Sequence, residues 1–69
     1  MFIVIELQVA NGEVATIVNK YTDRREAESK FHQILQYAAQ STVDIHSAVM
    51  LDETGMGIRQ ESYRKIIQE

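Results

Sequence analysis

Apolar and polar side chains alternate along the first ten residues. Ile3, Ile5, Leu7 and Val9 fall on one side, and Phe2, Val4, Glu6 and Gln8 on the other. Period two with many β-branched residues predicts a strand. Asn11-Gly12 follows, and this dipeptide supplies the two positive-φ positions of a tight hairpin turn. The next run, EVATIVNKY, predicts the returning strand. A two-residue loop sets Ala10 against Glu13, Val9 against Val14, Leu7 against Thr16 and Ile5 against Val18. Aliphatic side chains then meet one another, and a slip by one residue would destroy the match.

The period changes to 3.6 after Tyr21. Ala27, Phe31, Ile34, Leu35 and Ala38 make one helical stripe, with charged and amide side chains mostly away from it. Asp23, followed three residues later by Glu26, predicts the N-terminus, and the helix should end near Gln40 or Ser41. Glu26 and Lys30 stand four apart in the favourable order.

Alternation returns in TVDIHSAVML. Val43, Ile45, Ser47, Val49 and Leu51 share one face, and Asp44, His46, Ala48 and Met50 the other. Asp52-Glu53-Thr54-Gly55 predicts a four-residue hairpin loop. That loop would set Leu51 against Met56, Val49 against Ile58 and His46 against Glu61. The last strand, Met56 to about Tyr63, is the least apolar and suits an edge. The tail RKIIQE stays open: Ile66 and Ile67 could extend that strand, begin a short helix or dock on a partner.

The expected architecture is a two-layer α+β domain, ββαββ, with one helix on a four-stranded, antiparallel-rich sheet. The helix joins strands two and three, which must run parallel. Spatial order 2-1-3-4 then places the two most apolar strands in the middle and the charged ones at the edges.

The whole chain of 69 residues forms a single small domain, in which burial barely exceeds the entropy of ordering. With no cysteine it has neither a disulfide nor a thiolate metal site. Good packing or self-association must hold it. Ten acids against seven bases give a net charge of −3, which argues against a nucleic-acid footprint. No apolar run approaches a membrane span, and the alternating start is a strand rather than a leader, so the expected location is the cytoplasm.

Candidate chemistry is sparse. Bringing His32 and His46 together with a carboxylate would make a metal site. The expected architecture places the helix over one sheet face and His46 on the other, so no metal and no cofactor are expected. A carboxylate beside His46 reads as a cross-strand pair, and no serine lies on a nucleophile turn. Gly55-Met56-Gly57 lacks the following helix that phosphate loops need. No enzymatic activity is expected. Arg24 and Arg25 stand where the helix dipole disfavours cations. With His46 they are candidate contacts for a small anionic, nucleotide-like ligand in a pocket at a dimer interface; as the alternative, they are surface residues without a role.

The stronger signal is apolar surplus. The sheet face away from the helix is expected to carry Phe2, Val4, Ile17, Tyr21, Ala48, Met50 and Tyr63. Contiguous exposed apolar area marks an interaction site unless the tail folds back over it. The chain is therefore expected to be a non-catalytic protein-interaction module that forms a homo-oligomer, a dimer, through that face or an edge strand.

The segment Arg25–Gly55 resembles short uncharacterised proteins encoded in phages and prophages of Firmicutes-type gut bacteria. The shared features are Glu26-Ala27-Glu28 ahead of Phe31-His32, Ala38-Ala39-Gln40-Ser41 at the helix end, and His46-Ser47-Ala48-Val49 before the Gly55 turn. That resemblance implies a small cytoplasmic protein of a mobile element, with a host protein as a further partner to inhibit. It implies no catalytic residue.

Overall fold

The computed structural model describes residues 1–64; the three fates left open for Ile66 and Ile67 lie outside the described residues. The elements are β1 (Phe2–Ala10), β2 (Glu13–Tyr21), α1 (Arg24–Ala38), β3 (Ile45–Asp52) and β4 (Gly57–Arg64). All sheet pairings are antiparallel, and the strand order is β2-β1-β3-β4. This is the ββαββ arrangement expected from the alternation of periods, with one helix on a four-stranded sheet.

The β1–β2 hairpin has the register that Asn11-Gly12 demands: Ala10 pairs with Glu13, Val9 with Val14 and Ile5 with Val18. Both turn residues lie in the left-handed region, with φ of 55° at Asn11 and 80° at Gly12. A side chain on Gly12 would meet open space, so the requirement for glycine is conformational rather than steric. The backbone N–H of Asn11 donates to the Asp44 carboxylate at 3.1 Å, which ties this turn to the segment entering β3.

Asp23 caps α1 by accepting from the Arg25 N–H at 2.8 Å. The helix ends at Ala38, two residues short of expectation, because Ala39 to Ser41 tighten into turns. Lys30 donates to Gln33 at 3.4 Å, rather than serving Glu26. Ala27, Phe31, Ile34 and Ala38 are buried and Leu35 packs beside them, so the helical stripe forms as read.

Two further expectations are corrected. First, the β3–β4 register lies further along the chain. Leu51 pairs with Gly57, Met50 with Arg59 and His46 with Tyr63, across a bulge between Met50 and Leu51. Asp52 shapes the loop by accepting from the Thr54 hydroxyl at 2.6 Å and from the Thr54 and Met56 N–H groups. Those bonds keep Asp52 in the strand, and the bulge takes up the extra residue.

Second, the two sheet faces are exchanged. Val4, Ala48 and Met50 are fully buried in one cluster with Ala27, Phe31 and Ile34, and Phe2, Tyr21, Leu35 and Ile58 pack against it. The helix covers the side expected to be open. Alternation defines two faces but not which one a crossover covers. That depends on its hand and on fit. Ala27 and Ala48, both without exposure, let the bulky Phe31 ring seat on the sheet.

Candidate interaction surface

Residues paired across neighbouring strands share a face. The face away from α1 therefore carries Val14, Thr16, Val18 and Lys20 of β2, Ile3, Ile5, Leu7 and Val9 of β1, and Ile45, Ser47, Val49 and Leu51 of β3. Nine of these twelve are aliphatic. β4 adds Gln60, Ser62 and Arg64 along one border. The single charge that these three strands place on this face, Lys20, stands at the open end. Val14 and Val18 are 63% and 54% exposed, and Ile3, Ile5, Leu7, Val9, Ile45, Val49 and Leu51 are each partly exposed. Nothing among the described residues lies over them: the one helix is on the other side. A solvated antiparallel face ordinarily alternates to polar side chains, and this one does not.

The polar side chains are instead on the helix side, where the stripe of α1 runs out. Glu6, Gln8, Asn19, His46 and Glu61 all project there. His46 is 5% exposed, and its Nε2 lies 2.7 Å from the Glu6 carboxylate. Gln8 donates to the same oxygen at 2.9 Å. Glu6 is thus the partner of His46, rather than Glu61, and the pair is buried beneath the sheet's helix layer rather than on the opposite face. Among the described residues, Nδ1 of His46 has no partner, nor has Nδ2 of Asn19. The ring borders a shallow cleft of about 310 Å³ at the end of α1, with Ala38, Ser41, Tyr63 and Arg64 among its walls.

The expected interface residues divide. Phe2, Val4, Tyr21, Ala48 and Met50 belong to the core or pack on it, so they cannot form an open surface. Ile17 and Tyr63 are exposed, but they project on the helix side, beyond the edges of α1. The residues that do form an open apolar face were the ones expected beneath the helix. Their alternation was visible in the sequence; their side was not.

The candidate anion contacts do not converge. Arg24 and Arg25 stand exposed at the start of α1, and Arg24 lies 3.6 Å from Glu28. His46 is at the other end of a 15-residue helix, about 22 Å away along its axis. His32 is exposed, 3.6 Å from Glu28, with its ring edge-on to Phe31. No group of three or more metal-ligating side chains forms among the described residues. No described helix is long and apolar enough to cross a membrane.

Among the described residues, one carboxyl is perturbed. The Thr54 hydroxyl, with the Met56 and Thr54 backbone N–H groups, holds Asp52 below the usual carboxylate range. This is turn chemistry, remote from the open face.

Compared with models of protein families, with curated proteins and with solved structures, the chain matches none.

Proposed function

We propose that this protein is a non-catalytic interaction module that self-associates through the open face of its sheet. The observation that carries the reading is the exposed surface over β2, β1 and β3, nine of whose twelve side chains are aliphatic. Water-exposed surface of that kind is held back in monomers and used at interfaces. A second copy suits it because the surface is self-complementary. It consists mainly of branched aliphatic side chains with the small hydroxyls of Thr16 and Ser47 among them and no internal charge, so two copies can stack as the halves of a β-sandwich, with their sheets about 10 Å apart. The chain also lacks any disulfide, and its own core is small. Covering the second face would supply the missing layer of a compact domain.

Two single substitutions test the reading. Val49→Lys places a charge in the centre of the open face, next to Ile5. Tyr37→Lys changes a 59% exposed residue on α1, away from the sheet's open face and its edges, and serves as the control. Sedimentation should show the wild type and Tyr37→Lys as oligomers of equal size, and Val49→Lys in a smaller state with its secondary structure retained by circular dichroism. If Val49→Lys sediments like the wild type, the open face is not where copies meet. A host protein bound in place of a second copy would appear as a monomeric wild type, which also contradicts self-association.

A further inference from the structure

We infer that a second interface lies at the edge strand β2, where two copies pair antiparallel about a two-fold axis at Thr16, and that the open faces stack only after this pairing. The inference rests on the open-face reading and extends it to a dimer of dimers.

The two edges of the sheet are unlike. β4 carries Arg59, Glu61 and Arg64 and is irregular at the bulge, features that discourage pairing. β2 runs nine residues with no charge between Glu13 and Lys20, and its register with β1 is unbroken. In a hairpin with a two-residue loop, the pair that closes the loop is hydrogen-bonded, and such pairs alternate. Ala10 and Glu13 close this loop. The N–H and C=O groups of Val14, Thr16 and Val18 therefore point away from β1, with no strand beside them among the described residues. They form a template for another strand.

A second β2 fits that template. With the axis at Thr16, Thr16 meets its own copy and Val14 meets Val18. Thr–Thr and aliphatic pairs are favourable across antiparallel strands, and no like charges are opposed. A two-fold axis perpendicular to the sheet keeps both open faces on one side and both helices on the other.

Area points the same way. Three strands about 4.8 Å apart and roughly 27 Å long make a narrow face, and a standard interface takes about 800 Å² of accessible surface from each partner. Joining two copies through β2 places their aliphatic strands side by side and doubles the face that can stack.

The chain has no native cysteine, so Thr16→Cys creates a unique reporter. Opposed Cα atoms in a hydrogen-bonded antiparallel pair are about 5.5 Å apart, within disulfide reach, whereas stacked sheets hold them about 10 Å apart. Thr54→Cys, on the exposed β3–β4 loop, measures random crosslinking. The wild type should sediment at four times the 7.9 kDa chain mass. Thr16→Cys should oxidise to a linked dimer far faster than Thr54→Cys, and adding Val49→Lys should leave a dimer that still links. In the unsubstituted protein, amide exchange should be as slow at Val14, Thr16 and Val18 as at their neighbours, a readout that does not depend on the cysteine variant folding.

A wild-type dimer with fast exchange at those amides and no preferential crosslink would overturn edge pairing and leave the open-face reading standing. A crosslinking dimer indifferent to Val49→Lys would sustain edge pairing and overturn the open-face reading. A monomer would overturn both.

Discussion

Phe31 is the residue on which the core closes. It is almost wholly buried, and the Arg59 guanidinium lies 5.0 Å above the ring, held in turn by Glu28. Phe31→Ala removes the largest buried side chain of a small cluster, a change that costs about 3–5 kcal/mol. A domain of this length has only about 3–10 kcal/mol of stability to lose. Chemical denaturation should therefore find Phe31→Ala stripped of a large share of its stability, with a much lower midpoint than the wild type. The Glu6–His46 pair makes a different expectation. Glu6→Ala would leave a second ring nitrogen of His46 buried without a partner, at a cost of about 1–3 kcal/mol, while Glu6→Gln retains an acceptor and should cost less. Urea midpoints of the two variants distinguish this order from equal effects. The helical stripe around Phe31 was legible in the sequence because its spacing has one meaning. His46 was not. Its partner comes from a strand 40 positions away, and period two cannot say on which face a buried imidazole projects.

At the scale of elements, turn chemistry decides register, and the two hairpins differ in how much of it shows. Asn11-Gly12 allows one loop length, and the observed pairing follows it residue by residue. Gly12→Ala should destabilise the hairpin by about 1 kcal/mol, because alanine resists a φ of 80° there; a thermal melt would detect it. The Asp52 turn was harder to read. Its loop length follows from the bonds Asp52 accepts, and the bulge behind it leaves no mark in the alternation of β4. The lowered Asp52 carboxyl gives a pH dependence. Its folded-state pKa lies below the unfolded value of about 3.9. Its contribution is thus present above that value and is lost as pH falls through the folded-state pKa. Melting temperatures of the wild type and Asp52→Asn should differ at neutral pH and converge in strong acid. A constant difference across that range would contradict the account of the turn.

For the whole molecule, element order, topology and the excess of apolar surface were all legible, because each rests on periodicity. The side taken by the helix was not, since both sheet faces carry enough apolar side chains to accept it. The proposed self-association therefore rests on different residues: the aliphatic positions of β1, β2 and β3 take the place of Phe2, Val4 and Met50. If assembly covers this face, association stabilises the fold by mass action, and the melting temperature should rise with protein concentration.

The most direct test is sedimentation equilibrium of the unsubstituted protein from the low micromolar range upward, with Val49→Lys alongside. The account expects an oligomer that dissociates on dilution and a variant of smaller mass at every concentration. A wild type that remains a single chain throughout would contradict it.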